Sequence, residues 1–551
     1  MTATPHDVPE AQDVPNAQDV PEARGPLTAP APGPAAGPRG RGRGRAARFA
    51  NGPFLPLLPA ALTLAISLIG IGRPSLWLDE AATISMATRS YRDMFAVFDH
   101  LDLVHALYYM IMRPWVLAFG TGEFALRLPS ALATAAAAAG VTVLARRLHG
   151  TSAALLGGLA FAVAVQTSRW AQEGRSYAMV AAAAVLATYL FVRGVEPDAR
   201  RRWPWFAGYA PAVMLLGFLH LHGVLLVAAH AATLPAMRAA PGVWARWLAA
   251  SAFAAAPLVP FALAARDQTR QVAWLPEPSW DVVWTQVQFV CGSGPLVVPV
   301  LTIAVIGAVA ALRARSGPHR VPLAAVAVPW LVVPTALLLV VSMVGDPMFY
   351  YRYTVYTLPA LGLLLGAGLA RLLAAASRRA DRIAVLAAAA AALAGPSVQP
   401  HGLIRHEESR PENMREAASA VAANARPGDA VVYLAGVVRW NAAAYPDVFG
   451  RLDDVGMRVG PVAAANLKGR DVRPRDLGPK LAKYDRVWVM NHRSLDPHPP
   501  IVDAREQAVQ AAGPWRPVRT WTFRGGWLVL FERTGPYRAP HERAHRERAR
   551  P

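Results

Sequence analysis

One cysteine, Cys291, in 551 residues leaves no partner for an intrachain disulfide and no thiolate set for a metal site. Charge is scarce too, at 17% of residues against roughly 25% in a soluble domain. Hydrophobic residues make up 54% and the mean hydropathy is +0.26, which excludes an ordinary water-soluble globule and points to an integral membrane protein. The formal charge of +20 on a soluble chain would suggest nucleic acid. Here nearly all the cations are arginines lying between apolar segments, so they read as membrane topology signals. Nucleic-acid binding is set aside because the basic loops hug the membrane and the Arg-Gly tail is short. The excess of Arg, Ala, Gly and Pro also fits the mutational bias of a GC-rich genome, an equal explanation of the absolute charge.

The first fifty residues hold a six-residue repeat starting at Asp7, Asp13 and Asp19, then an Arg-Gly run from Arg39 to Arg48. Nothing there can bury a core, so residues 1–50 are expected to be a disordered cytoplasmic tail. The first apolar segment begins near Phe54 behind that basic run, as in a signal anchor. A membrane domain is expected over 51–397. Its apolar runs lie at 53–72, 126–145, 151–167, 177–193, 204–220, 223–238, 244–264, 295–312, 321–343, 354–373 and 383–396, each near the length a bilayer asks of a helix. Eleven spans from a cytoplasmic start put Arg146-Arg147, Arg193 with Arg200 to Arg202, Arg238 with Arg246, Arg313 to Arg320 and Arg371 to Arg382 on the inside. The segment 103–119 then has to lie at the outer interface, anchored by Tyr108, Tyr109 and Trp115. After Pro396 strand-like Ala430-Val-Val-Tyr-Leu, Arg486-Val-Trp-Val-Met and Trp527-Leu-Val-Leu-Phe alternate with helical stretches such as 412–425. That pattern predicts a small extracytoplasmic α/β domain over 398–535 and a charged, frayed end over 536–551.

The informative charges are those beside spans on the outer side, where topology does not explain them and the membrane penalises them. Asp79 and Glu80 follow the first span, and Asp99, His100, Asp102 and His105 share their loop. Neighbouring carboxylates at a membrane boundary suit a general base with a companion, although composition alone favours Asp79 as the cap of a helix starting at Glu80. Arg169-Trp-Ala-Gln-Glu173-Gly-Arg175-Ser-Tyr177 sets two guanidinium groups around one carboxylate, suited to phosphate or to a plain loop salt bridge. Tyr350-Tyr351-Arg352-Tyr353 sets an arginine among tyrosines, where it suits a diphosphate or a sugar face; interfacial anchoring explains the tyrosines but not Arg352. His220 and His222 close the fifth span and read first as hydrogen-bonded interface residues, with His222 kept as a substrate contact.

Taken in order, Leu76-Trp-Leu-Asp-Glu80, Ala106-Leu-Tyr-Tyr109, Gly120-Thr-Gly-Glu-Phe-Ala-Leu-Arg127-Leu-Pro-Ser130, Ala171-Gln-Glu-Gly-Arg-Ser-Tyr177 and Tyr351-Arg-Tyr353 resemble the C-type glycosyltransferases of the protein-mannosyltransferase and aminoarabinose-transferase kind, in a bacterial, actinobacterial form. The resemblance covers about 53–396. It implies a transferase that moves a sugar from a polyprenyl-phosphate carrier to an acceptor outside the membrane, with inversion. On that likeness Asp79 matches the catalytic aspartate, with Glu80 and Asp102 beside it. Arg169, Arg175 and Arg352 would clamp the donor phosphate, and His105, Tyr109, Glu173, Tyr177, His222 and Tyr351 would contact substrates. Arg127 is left to anchor the interface helix. The partners implied are a polyprenyl-phosphate sugar, the lipid bilayer, and a protein, lipid or glycan acceptor.

Two departures matter. Val104-His105-Ala106-Leu107-Tyr108-Tyr109 stands where many relatives carry His-Pro-Pro-Leu-Tyr-Tyr, so the acceptor loop is reshaped. Asp79-Glu80 replaces the Asp-x-Asp of metal-dependent oligosaccharyl relatives, so no cofactor is required and a divalent cation is possible. The competing class is a transporter or flippase of a lipid-linked sugar. Transporters show internal repeats and midplane charges, whereas the charges here gather at the outer boundary.

Overall fold

A computed structural model describes residues 52–196, 201–268, 274–313, 321–493 and 499–535. The expected N-terminal tail, the charged end 536–551 and the inside loop carrying Arg315 and Arg320 lie outside these described residues. Each apolar run of the sequence has its helix. Among the described residues, seven helices are long and apolar enough to cross a membrane: Glu123–His149, Tyr177–Val195, Pro241–Arg266, Gly294–Arg313, Leu323–Val344, Tyr351–Ala375 and Arg379–Leu403. An eighth crossing is broken, Thr151–Val163 and Val165–Ala171 meeting at 60°. The other three runs are shorter helices, Leu57–Leu68, Trp203–Leu219 and Leu221–Ala236. At 1.5 Å per residue a 12-residue helix reaches roughly 18 Å, well short of the roughly 30 Å hydrocarbon core.

The helices approach closely because small residues line their seams, the usual solution where lipid offers no hydrophobic drive to associate. A Cβ on Gly157 would stand 2.8 Å from the Gly362 carbonyl oxygen, and Gly307 and Gly368 face each other's helix backbones with no room for a side chain. Residues 103–119 are not a span but a 3-10 turn, Leu103–His105, running into the helix Ala106–Phe119. Its tyrosines are not the expected interfacial anchors. Tyr108 and Tyr109 are buried in the core, and the exposed aromatic of this helix is Phe119. Two helices escaped the hydropathy pattern, Tyr91–Phe98 and Trp280–Cys291, each amphipathic and too short to register as a run.

The polar C-terminal part is an α/β unit. Its strands are β1 Ala430–Tyr433, β2 Asp453–Asp454, β3 Met457–Val459, β4 Arg470–Asp471, β5 Arg486–His492, β6 Trp515–Phe523 and β7 Gly526–Arg533. One five-stranded sheet runs β2-β1-β5-β7-β6, parallel between β2, β1 and β5 and antiparallel from β5 through β7 to β6. Strand β1 and the Val487–Met490 stretch of β5 are apolar and buried, as strands covered on both faces must be. Val421 from Met414–Asn424 and Val502 and Val509 from Pro500–Ala511 complete that core. The three strands expected from the sequence are β1, β5 and β7, and the helix expected at 412–425 is Met414–Asn424.

Candidate active site

Asp79 sits in the first turn of the helix Leu78–Ala87. The helix starts two residues earlier than expected and Trp77, in an extended conformation, occupies the cap position without a side-chain bond, so Asp79 is not a cap. Its side chain is free to face the cavity, and two acids in a first turn are favoured by the helix dipole. The approach to this turn has almost no regular structure, yet its carbonyl groups are taken one after another. Arg127 donates to Ile71, Pro74 and Ser75 (2.8, 2.8 and 3.0 Å). Arg415 donates to Gly72 and Arg73 (2.8 Å each), and Arg405 and Gln172 both reach Ile69. Arg405 belongs to the neck joining the last membrane helix to the α/β unit, and Arg415 to the first turn of the helix Met414–Asn424 at the end of that neck. From the same neck Glu412 accepts from the Leu78 amide (3.3 Å) and the Glu407 carbonyl from the Ser75 amide (3.2 Å). The neck therefore holds the Asp79 loop in place.

One expected outcome follows from that arrangement. Arg415 also pairs with Glu123 at 2.7 Å with both side chains partly exposed, which contributes at most about 1 kcal/mol, and its bonds to carbonyls add a similar amount. Arg415→Ala is expected to lower stability by about 2 kcal/mol, read as a drop of a few degrees in the unfolding midpoint of the detergent-solubilised protein. An unchanged midpoint would mean that the neck does not support the loop.

Glu80 points away from Asp79, into the protein. It is fully buried, bonded to Arg127 through both oxygens at 2.7 and 2.6 Å, and takes the Gly174 amide at 2.8 Å. The structure corrects two expectations here: Glu80 meets neither Asp79 nor the cavity, and Arg127 braces the Asp79 loop rather than anchoring the interface helix. A buried guanidinium needs every N–H satisfied, and the carbonyls of residues 71–75 complete what Glu80 begins.

The cavity beside Asp79 has a volume of about 670 Å³ and gathers residues far apart in the chain: Asp79, Asp102, His105, Arg175, Tyr177, His222 and Arg352, all singled out in the sequence. Arg352 lies 3.2 Å from the Asp79 carboxylate amid the rings of Trp77, Tyr177, Trp274 and Tyr350, 5.0 to 6.0 Å from their centroids. Its buried Nε has no hydrogen-bond partner among the described residues. Arg175 donates to the Asp79 carbonyl (3.3 Å) and the Tyr109 hydroxyl (3.1 Å), and its second terminal nitrogen is 2.8 Å from His105 Nε2. Because a guanidinium can only donate, His105 Nε2 accepts and the ring is neutral, in keeping with the burial that pulls His105 well below its ordinary value. Asp102 takes the Tyr109 hydroxyl at 2.9 Å from a left-handed backbone, φ 59°, a strained conformation of the sort found where a side chain must be aimed. Burial raises the Asp102 carboxyl, against the opposing pull of Arg175 and the Tyr109 hydrogen bond.

Four other expected contacts lie outside the cavity lining. Tyr109 stands behind the wall, linking Asp102 to Arg175. Tyr351 packs on Phe289 and Tyr350. Arg169 pairs with Glu173, and Arg410 from the neck lies 3.5 Å from the same carboxylate. Burial favours a neutral Glu173, but Arg169 and Arg410 outweigh it and hold the group below the usual carboxylate range. The loop salt bridge foreseen as the alternative is thus what Arg169 and Glu173 make, and Arg175 is the arginine of that motif that reaches the cavity.

Sequence reasoning missed several lining residues: His220, Tyr353, Trp274, Arg266 and, from the α/β unit, Trp440, Asn466 and Lys468. His220, His222 and Tyr353 form one aromatic wall with centroids 5.2 to 5.3 Å apart. Tyr353 and His220 belonged to motifs already noted; nothing local in the sequence marks 440 or 466–468. No group of three or more His, Cys, Asp or Glu side chains arranged to hold a metal ion occurs among the described residues.

Residues 104–265 match the family described as dolichyl-phosphate-mannose-protein mannosyltransferase. No curated protein matches the chain. Among solved structures, ArnT from Cupriavidus metallidurans is similar in its apo state (TM-score 0.58) and bound to undecaprenyl phosphate (TM-score 0.60). Both are 17% identical over 86% of this chain and 97% of that one. The Archaeoglobus fulgidus oligosaccharyltransferase in complex with Zn and sulfate is 12% identical over 80% of this chain and 68% of its own, with a TM-score of 0.49. By architecture, then, this multi-span membrane chain shares the fold of ArnT, and its residues 104–265 match the mannosyltransferase family.

Proposed function

We propose that the protein transfers a sugar from a polyprenyl-phosphate carrier to an acceptor hydroxyl, with inversion, in the cavity at Asp79. The observation that carries this reading is the pairing of one carboxylate with a caged guanidinium: Asp79 and Arg352 share one cavity wall at 3.2 Å, and Arg352 keeps a buried N–H without a partner among the described residues. Asp79 would take the proton of the acceptor hydroxyl as its oxygen bonds to the anomeric carbon. The bond from that carbon to the phosphate oxygen breaks, and the polyprenyl phosphate leaves as an anion held by Arg352 and Arg175. Such a leaving group needs no acid, so a single carboxylate suffices, unlike the acid and base pair of hydrolases. ArnT, with the same fold, was solved with undecaprenyl phosphate bound, which favours a polyprenyl phosphate as the donor. A second cavity of about 600 Å³ is lined by apolar side chains that include Met179 and Leu219, within two residues in sequence of Tyr177 and His220 of the reaction cavity. It is suited to an isoprenoid chain.

The cavity opens on the side taken as extracytoplasmic, with the N-terminus in the cytoplasm and the α/β unit outside. Arg352→Met is expected to raise the KM for a synthetic polyprenyl-phosphate sugar about 10- to 100-fold, the worth of one charge-assisted hydrogen bond, with Arg352→Lys intermediate. An unchanged donor KM would remove Arg352 from the clamp.

A further inference from the structure

The chain uses arginine almost everywhere: of 56 basic residues only Lys468, Lys480 and Lys483 are lysines. One of the three, Lys468, lines the reaction cavity. Its backbone is held from several sides. The Asn466 side chain accepts from the Lys468 and Gly469 amides (3.0 and 2.6 Å), Arg439 donates to the Lys468 carbonyl (2.8 Å), Trp440 to the Leu467 carbonyl (3.1 Å), and Arg89 to the Asn466 carbonyl (2.7 Å). Ala465 lies in the left-handed region, φ 50°, so strain is stored to shape this loop. The side chain itself is exposed and in no ion pair among the described residues. The nearby carboxylates are taken, Asp454 by Arg439 and Asp471 by Arg439 and Arg505.

The charge of the cavity adds a second argument. Four cations, Arg175, Arg266, Arg352 and Lys468, face two carboxylates, Asp79 and Asp102. A sugar phosphodiester donor brings a single negative charge, which leaves positive charge unanswered on the side built by the α/β unit. On the reading proposed above, we infer that Lys468 anchors an anionic group, a phosphate or carboxylate, on the acceptor, and that the 466–469 loop sets acceptor specificity. A rigid loop with one mobile ammonium at its tip suits a point charge of variable position. Rim charges of this kind act on capture and on salt dependence more than on chemistry.

The test compares wild type with Lys468→Ala and Lys468→Arg, which change an exposed side chain. Labelled donor is supplied with membrane extract as acceptor, and products are separated by anion exchange. The expected result is a labelled product in the anionic fraction, an apparent KM for extract raised about fivefold in Lys468→Ala, recovery in Lys468→Arg, and unchanged donor KM and kcat. A neutral product, equal acceptor KM values or a shifted donor KM would overturn the inference. A binding arm separates this from failure of the transferase reading. Protein preloaded with polyprenyl phosphate is dialysed against labelled glycerol 1-phosphate, and wild type should bind about fivefold tighter than Lys468→Ala, the difference vanishing at high salt. Equal binding would overturn the site whatever the transfer assay gives; unequal binding without transfer would keep the site and count against the transferase.

Discussion

Asp79→Asn should lower transfer by about 10²- to 10⁴-fold, the range expected for removal of a general base, which corresponds to roughly 3 to 5.5 kcal/mol of lost transition-state stabilisation. The substitution is isosteric and the helix from Leu78 does not use Asp79 as its cap, so the fold should survive. Arg352 would lose its ionic partner at 3.2 Å but keep its aromatic cage, so donor binding should hold or tighten while kcat collapses. That split separates a base from a binding group: loss of an ordinary contact would raise KM and leave kcat in place. Measured kcat and donor KM for Asp79→Asn decide between them, and a variant with near-normal kcat would remove Asp79 from the proton transfer.

The largest effect on stability is expected at Glu80. Glu80 and Arg127 are both fully buried, and removing one partner of such a pair leaves an uncompensated charge, at about 3–5 kcal/mol. Glu80→Ala should therefore fail to accumulate as monodisperse protein in size-exclusion chromatography. Glu80→Gln, which keeps an acceptor for Arg127, should be milder. Arg127→Met should be as damaging as Glu80→Ala, because the carbonyls of Ile71, Pro74 and Ser75 lose their donor as well. A Glu80→Ala protein that folds normally yet has lost transfer would return Glu80 to the chemistry.

These two neighbours show where reading the chain succeeds and where it stops. The helices were legible because lipid imposes one rule on every span, and hydropathy reports it directly. The strands β1 and β5 were legible for a similar reason, being apolar over Ala430–Tyr433 and over Val487–Met490. Asp79 and Glu80 carry the same charge side by side, and no pattern separates them; a helix turns 100° per residue, and that rotation alone sends one carboxylate to the cavity and the other to Arg127. The same holds for Arg169 and Arg175, six residues apart across the loop after the broken helix, where the turn at 172–176 decides which guanidinium faces Asp79. Lys468 and Trp440 were beyond reach, because they enter the cavity through the docking of the α/β unit on the membrane helices. The neck arginines 405, 410 and 415 were invisible for the opposite reason: arginine is common throughout, and only the carbonyls they meet give them meaning.

On the proposed function, the sugar changes partner in the Asp79 cavity. That function is tested most directly by purified wild-type protein in sealed liposomes, given a synthetic polyprenyl-phosphate donor labelled in both sugar and lipid, with membrane extract outside, in the presence and absence of chelator. Sugar label is expected to move to the acceptor while lipid label remains as free polyprenyl phosphate, in equal amounts, and Asp79→Asn is expected to abolish both. Donor that crosses the bilayer with both labels still joined, and no labelled acceptor, would contradict this function and identify a transporter instead.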